Sequence, residues 1–483
     1  MTALRKNASY NVLLSLTQFA FPLITFPYAS RVLGPEALGA VSLADNFTIY
    51  FLLFSGLGIP LYGLREVAKV KNNPKLLGQT FSSLLFIHLL TAVIAVSLFF
   101  LLTRTIEKLY ADFALYQIGM AIVFGSVFIA EWYFQGIEEF KYITFRTVII
   151  RLCTIPLLFV FVKGPEDSYI YFALNLIVVL ASAGFNMYYI SKKIKISFKN
   201  LVISKHFKPL FLLWASTLVT TIYLVFDTVI LGFLTNDTTV GYYAASMRIA
   251  KISLSVLGAV SLVLLPRLTF LFNQANTTAA GNLLNKSLRF VCFLGVPIAI
   301  GIFCLATEII SVFAGQAYLP AVNSLRVLSF LVVLIGLAQV FSNQILLPLM
   351  QEKKIFYASI VGVAISLSLN FILIPKLLHV GAALSSLFTE LAVTVVLYAY
   401  AKKHFSVVLP FSILIKSLLA SLTFFLIRYF MLQVTAIPML VLTFTVVLSA
   451  AVYVLLQLFM WKNKDMIETF SSYPRLGFLT KLK

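Results

Sequence analysis

The chain is 483 residues long, and 61% of these residues are hydrophobic while only 11% are charged. An average soluble domain carries about 25% charged residues, so the composition excludes a soluble fold. The formal net charge is +20, which in a soluble protein would suggest a nucleic-acid partner. The placement of the cations along this chain favours another explanation.

Apolar segments of membrane-crossing length follow one another along almost the whole chain. A helix needs about 20 mostly apolar residues to cross the hydrocarbon core. The predicted class is therefore an all-α integral membrane protein, with little room for a soluble domain. By this criterion we predict fourteen spans, near residues 10–30, 38–62, 79–102, 113–135, 143–162, 168–190, 209–234, 240–266, 287–309, 322–349, 355–375, 380–401, 409–431 and 437–460.

The basic residues are concentrated in every second connection between these spans. Of the 37 lysines and arginines, 25 fall in the N-terminus, the connections on its side and the C-terminal tail, against six in the opposite connections and six inside spans. Cytoplasmic connections of membrane proteins carry such an excess. With an even number of spans, both termini are predicted to be cytoplasmic. Most of the positive charge then sets the topology, and no nucleic-acid partner is predicted.

The first twelve spans show signs of an internal duplication. Residues 38–40 resemble residues 240–242, and segment 56–65 resembles segment 258–267. Because each half has an even number of spans, both halves insert in the same orientation. We predict two pseudo-symmetric six-helix lobes facing each other across a cavity, and two further helices. The predicted divisions are an N-terminal lobe (1–190), a basic cytoplasmic linker (191–208), a C-terminal lobe (209–401), and two appended helices with a cytoplasmic tail (402–483).

Cations inside the predicted spans are the main candidates for substrate binding, because charge at membrane depth is costly and usually faces protein or a water-filled cavity. Arg248 and Lys251 are three residues apart and share one helix face. They form a diphosphate site or, alternatively, pair with Asp227 of the preceding span for structural reasons. For Arg146, Arg326 and Lys416 the alternative is snorkelling to the membrane surface. For Arg31 it is helix capping. The other cationic candidates are Arg31, Arg146, Arg151, Arg326 and Lys416.

Two acids inside spans are candidates for a coupling-ion or counter-charge site. Asp227 precedes the paired cations by one span, and Glu390 lies mid-span without a partner nearby in the sequence. A proton relay needs such groups, and a structural salt bridge is the alternative explanation for each of them. The three cysteines show no CxxC pairing, so no metal site is predicted. No Walker loop and no cofactor motif is present, which leaves a proton or sodium gradient as the candidate energy source.

Three segments indicate a family: residues 31–36 (RVLGPE), 131–136 (EWYFQG) and 227–232 (DTVILG). With them, the chain resembles the Wzx-type polysaccharide flippases over essentially its whole length. These belong to a superfamily that includes the lipid II flippases and the multidrug and toxin extrusion antiporters. The resemblance implies alternating access and a cationic central cavity for the sugar-linked diphosphate of a polyprenyl carrier, whose tail stays in the lipid.

Membership would place the protein in a bacterial cytoplasmic (inner) membrane. Its partners would be a polyprenyl-diphosphate oligosaccharide, membrane lipid and, in the assembly of surface polysaccharide, a polysaccharide polymerase with its chain-length machinery. A cation-coupled multidrug antiporter and a lipid II flippase of the same superfamily remain alternatives. The intramembrane charges lean positive, which favours an anionic substrate. A membrane enzyme of glycan assembly is a remote alternative, because the predicted outer loops are short and the four histidines are scattered.

Overall fold

The structure is a computed structural model that describes the backbone of residues 2–199, 201–274, 276–405 and 409–461 and, from residue 21 onward, most of their side chains. These ranges form helices joined by short connections, and they contain no strand. Within them, ten helical segments are long and apolar enough to cross a membrane. The prediction of an all-α, multi-pass membrane protein is confirmed. The predicted cytoplasmic tail after residue 461 lies outside the described residues.

The chain divides into two compact units, and the boundary between them in the sequence falls between Ala244 and Ala245. Each unit is built from long apolar helices broken or flanked by short ones. The helices of unit 1 are α1 (Thr2–Gly56), α2 (Ile59–Val70), α3 (Pro74–Thr105), α4 (Glu107–Ala111), α5 (Phe113–Ser126), α6 (Glu131–Gly136), α7 (Phe140–Phe161), α8 (Ser168–Lys193), α9 (Ser204–Leu234) and the start of α10 (Asp237–Asn273).

Unit 2 contains the rest of α10 and the helices that follow it. A short 3₁₀ segment (Gln316–Ala321) precedes α13, and a π-helical segment (Val340–Leu346) directly continues α14. The helices of unit 2 are α11 (Thr277–Cys304), α12 (Ala306–Phe313), α13 (Val322–Ser329), α14 (Leu331–Gln339), α15 (Glu352–His404), α16 (Phe411–Ser421), α17 (Thr423–Val434) and α18 (Pro438–Leu455).

Two of the helices are interrupted near their middle. In α1, Gly34 has φ 74° and ψ 174°, a conformation open to glycine because it has no Cβ. Pro35 follows, and its missing N–H prevents a regular continuation of the preceding turn. In α15, Leu378 has φ 52° and ψ −130°. Each of these helices therefore consists of two helical stretches joined at a sharp break.

Within unit 1, the glycines of the two matching hairpins approach each other closely. A Cβ added to Gly39 would lie 1.7 Å from the carbonyl oxygen of Asp237, and one added to Gly241 would lie 1.9 Å from that of Pro35. Lys108 supports this contact, because its Nζ donates to the carbonyl oxygen of Thr235 at 2.7 Å. Only residues without a side chain allow the two hairpins to pack at this distance.

The π-helical segment of unit 2 places a polar side chain in an apolar core. Gln344 is fully buried, and its Nε2 donates to Oγ of Ser261 in α10 at 2.9 Å. The neighbouring Ile345 and Leu346 are also fully buried. The segment therefore directs apolar and polar side chains together into the packing between α10, α11 and α15.

Candidate functional site

A broken span in unit 1 brings a buried cation to a carboxylate. Ala130 adopts a left-handed conformation with φ 42°, and α6 starts directly after it at Glu131. Arg146 of α7 donates from Nη2 to Oε1 of Glu131 at 2.5 Å and to Oγ1 of Thr147 at 3.0 Å. The side chain of Arg146 is 5% exposed and that of Glu131 is 40% exposed. The accessible member of this pair is therefore the acid.

The other cationic candidates of unit 1 lie around different groups. Arg151, five residues along α7 from Arg146, is half-buried. Its guanidinium carbon is 5.3 Å from the ring centroid of Phe21, and it lies within electrostatic range of Glu131. Arg31 is exposed, and its Nη1 donates to the carbonyl oxygen of Pro27 at 3.3 Å. Arg146 and Arg151 thus belong to one charged cluster around Glu131.

Asp227 of α9 is buried among tyrosines. The hydroxyl of Tyr243 donates to its Oδ2 at 3.2 Å, and the carboxyl group is 5% exposed. Tyr50 lies within electrostatic range of the same carboxylate, with its ring centroid 5.9 Å from that of Phe226. The sequence singled out Asp227 but not the two tyrosines, because both come from other helices, Tyr50 from α1 and Tyr243 from α10.

In unit 2, the paired cations lie deep along α10. Arg248 and Lys251 are 11 and 14 residues beyond the first residue of the helix, Asp237, or about 16 and 21 Å at 1.5 Å per residue. Arg248 is half-buried and Lys251 is exposed. A hydrocarbon core is about 30 Å thick, so both lie near its middle if α10 starts at its edge.

Two of the three other candidates of unit 2 occupy separate positions. Glu390 of α15 is buried, and the structure shows no ion pair for it within the described residues. Lys416 of α16 is half-buried. They are not part of the charged cluster described next.

A second Glu–Arg pair in unit 2 was not predicted. Arg428 of α17 donates from Nε and Nη2 to Oε1 of Glu308 in α12, at 3.0 and 2.7 Å. Here the acid is 6% exposed and the arginine 26%. Arg326 of α13 lies nearby, with its guanidinium carbon 5.8 Å from the ring centroid of Phe303. No local spacing could have indicated the pair, because its members are 120 residues apart.

These features define the class of the protein: a multi-pass helical membrane protein with charged clusters inside its spans. Residues 4–272, more than half of the chain, match the family described as "Polysaccharide biosynthesis protein". The chain belongs to this family.

Known proteins of similar sequence and structure agree with this assignment. A putative O-antigen transporter of Escherichia coli (strain K12) is 25% identical over 410 residues, which cover 83% of this chain and 97% of that protein. The structure of the lipid II flippase MurJ in an inward closed conformation superposes with a TM-score of 0.74 at 18% identity, covering 94% of this chain and 100% of that one. An inward-facing multidrug resistance MATE transporter gives 0.67 at 14% identity, covering 83% and 98%.

At such identities the two solved structures show a shared fold alone. The resemblance to Wzx-type polysaccharide flippases is confirmed by the family match and by the O-antigen transporter. Since the relatives are named as transporters and flippases, the interpretation as a transporter rather than an enzyme is confirmed as well.

Proposed function

We propose that this protein moves polyprenyl-diphosphate-linked oligosaccharide units from the cytoplasmic to the outer leaflet of a bacterial cytoplasmic membrane by alternating access. The units would serve the synthesis of a surface polysaccharide, such as O-antigen, capsule or exopolysaccharide. The O-antigen transporter supports the substrate class, and the fold shared with a lipid II flippase supports the mode of transport. A polymerase and its chain-length machinery would receive the product.

The observation that carries this proposal is the pair of cations on α10. Arg248 and Lys251 lie one helical turn apart at mid-membrane depth, where a charge persists only if it faces protein, water or a ligand. A diphosphate carries its negative charge on adjacent phosphate groups and suits two cations on one helix face. The planar fork of Arg248 would bind phosphate oxygens in a bidentate manner, while Lys251 would act as a point charge.

A fourteen-span topology with cytoplasmic termini is part of the proposal. Ten helical segments of the described chain are candidates for crossing a membrane, and two of them are 50 and 53 residues long. Those two contain the breaks at Gly34 and Leu378 and are long enough to cross twice, which makes twelve crossings. The helices α9 and α10, with 31 and 37 residues, supply the other two. The proposal also includes the predicted division into two lobes, 1–190 and 209–401, joined by the linker 191–208.

The glycine contact in unit 1 supports alternating access. By the charge distribution, Gly39 and Gly241 lie at the outer ends of their spans. Their close packing closes that side between the two matching hairpins, and outward release of a large headgroup requires them to separate. Gly39→Ala should wedge this contact open and reduce transport by about tenfold or more. Gly184→Ala is a matched control, because no atom lies within 4 Å of a Cβ at that position.

Asp227 and Glu390 are the proposed coupling groups. Both carboxyl groups are buried, and a carboxylate in such a place is stabilised by taking up a proton or by binding a cation. A gradient then drives transport only if the group binds the ion differently in the two access states. Asp227→Asn and Glu390→Gln should make transport insensitive to an imposed proton or sodium gradient, which is measured by collapsing each gradient in turn.

The decisive experiment is transport of a radiolabelled polyprenyl-diphosphate oligosaccharide into vesicles that contain the intact protein. Arg248→Ala should reduce the initial rate at least tenfold with insertion unchanged, because the phosphates lose their bidentate partner. Arg104→Ala is the control, since Arg104 is exposed and stacked on Phe113 at the end of α3. Lipid II, supplied as a competitor, tests the nearest alternative because it presents the same diphosphate. Exchange of a cationic drug for protons, without movement of lipid-linked sugar, would overturn the proposal in favour of an antiporter.

A further inference from the structure

We propose that unit 2 carries a binding site for the phosphate headgroup of a lipid, formed by Arg326 and Arg428 beside the rings of Phe303 and Phe425. The site lies near the end of the unit that the charge distribution assigns to the outside. It is separate from the cations on α10 and does not depend on what the protein transports.

Three charged residues of the site lie in one layer. Glu308 is five residues before the end of α12, Arg326 is four residues after the start of α13, and Arg428 is six residues before the end of α17. At 1.5 Å per residue, each is about 6–9 Å from the helix end. The short connection between α12 and α13 places the first two at the same end, and the ion pair with Glu308 places Arg428 there too.

The charges in this layer do not balance. Glu308 accepts both hydrogen bonds from Arg428 on a single oxygen. Arg326 forms no ion pair with any described residue, and its buried Nε has no hydrogen-bond partner in the described part of the chain. The layer therefore holds two arginines and one carboxylate, which leaves one positive charge in excess. A leftover positive charge below the membrane surface is costly unless an anion meets it.

The surroundings of Arg326 select an anion that carries an apolar chain. The guanidinium lies against the ring of Phe303, which packs against Phe330 and Phe425 with centroid distances of 5.8 and 6.3 Å. Phe330 and Phe425 are both exposed on the surface of the unit. Arginine binds phosphate oxygens in a bidentate manner, and an alkyl chain would cover the exposed rings. This matches a glycerophospholipid or a polyprenyl phosphate better than a free phosphate ion.

Snorkelling to the bilayer surface is the competing explanation for an arginine near a helix end. The chain offers a control for it in Arg104, near the end of α3 in unit 1. Its guanidinium lies 4.3 Å from the ring centroid of Phe113 and 5.3 Å from that of Phe100. It has the aromatic contacts of Arg326 but, within the described residues, no Glu–Arg ion pair beside it. A general preference for the bilayer surface would affect both positions alike.

The test uses the full chain, freed of lipid in an uncharged detergent and examined by native mass spectrometry. The probes are phosphatidylglycerol, a polyprenyl phosphate, inorganic phosphate and zwitterionic phosphatidylcholine. Arg326→Gln should weaken binding of the two anionic lipids about tenfold, since one bidentate phosphate contact is lost. Arg104→Gln should leave binding unchanged. Glu308→Gln should strengthen it several-fold, because the competing negative charge is removed.

Equal binding by Arg326→Gln and the unmodified chain would overturn the proposal, as would equal losses for Arg326→Gln and Arg104→Gln. Inorganic phosphate that binds as tightly as the lipids would overturn the assignment to a lipid. Preference for phosphatidylglycerol would support the site and identify a membrane phospholipid as its occupant. Preference for the polyprenyl phosphate would support it and identify the carrier lipid. If Glu308→Gln fails to fold, Arg326→Gln decides, because no ion pair is broken there.

Discussion

The two Glu–Arg pairs, one in each unit, are built in opposite ways. In unit 1 the arginine is buried and Glu131 is partly exposed, whereas in unit 2 Glu308 is buried and Arg428 is partly exposed. Loss of the more exposed partner therefore leaves an uncompensated buried cation in unit 1 and an uncompensated buried carboxylate in unit 2. A guanidinium cannot lose its proton in a protein, so the charge left in unit 1 persists.

The largest effect is expected when Glu131 is removed. Glu131→Ala leaves Arg146 buried and charged, with only Thr147 as hydrogen-bond partner among its described contacts. Leaving a buried charge without its partner in this way costs about 3–5 kcal/mol. Thermal unfolding of the purified protein in detergent should show a large fall in midpoint at every pH tested. The double variant Glu131→Ala, Arg146→Met should recover most of it, and a double variant as unstable as the single one would contradict this account.

The pair in unit 2 should show a smaller effect. Arg428→Ala leaves Glu308 buried without a partner, at a cost of about 3 kcal/mol near neutral pH. Unfolding midpoints near neutral pH measure this, with Arg104→Ala as the control. A loss that exceeds the loss in Glu131→Ala would remove the contrast between the units.

A neutral contact in unit 2 sharpens the comparison further. Tyr453 of α18 donates to the carbonyl oxygen of Phe293 at 2.6 Å and lies 2.9 Å from Oγ of Ser417. Tyr453→Phe should lower the free energy of unfolding by about 1 kcal/mol with no change between pH 5 and pH 7.5. Tyr429→Phe, at an exposed position, should have no measurable effect. A loss as large as that of Arg428→Ala would mean that charge is not what distinguishes the Glu308 pair.

The smallest effect is expected at a buried base of unit 1 that can titrate. His206, near the start of α9 and outside the apolar spans, shares a 2.8 Å hydrogen bond between its Nδ1 and the hydroxyl of Tyr62. Burial, and to a lesser degree the charge of Lys205, lowers the pKa of His206 below 6.5, while Glu66 opposes the shift. The neutral form is favoured in the folded state, so its contribution is complete above pH 6.5 and is lost as the pH falls through the lowered pKa. In the unmodified protein the unfolding midpoint should therefore fall between pH 7.5 and pH 5. His206→Phe should make this fall smaller by one or two degrees, which corresponds to a free energy of unfolding on the order of 0.5 kcal/mol.

Part of this arrangement could be read from the sequence. Apolar segments of sufficient length predict the helices, because the composition of a span is set by the lipid around it. The resemblance between residues 38–40 and 240–242 pointed to matching hairpins, and the structure places Gly39 and Gly241 in contact. Ionisable residues inside the spans were predicted to matter, and Asp227 and Arg146 both lie in buried polar contacts.

The pairing of those residues could not be read in the same way. The sequence indicates a cavity cation or a snorkelling side chain for Arg146, yet its acid, Glu131, directly follows a helix break at Ala130 that no pattern indicated. Glu308 and Arg428 come from different helices, and only the packing of α17 on the rest of unit 2 brings them together. Charge partners across helices depend on helix rotation, and a shift of one residue turns a side chain by about 100°.

The same rotation gives the π-helical segment Val340–Leu346 a consequence for the length of its span. A π turn holds about one residue more than an α turn, so it accommodates an extra residue without rotating the part of the chain that follows. If one residue were deleted there and the α geometry restored, the change would fall within the segment itself, where Gln344 donates to Ser261. A relative of this protein that lacks one residue here can therefore keep the packing on both sides of the segment and lose only this buried polar contact.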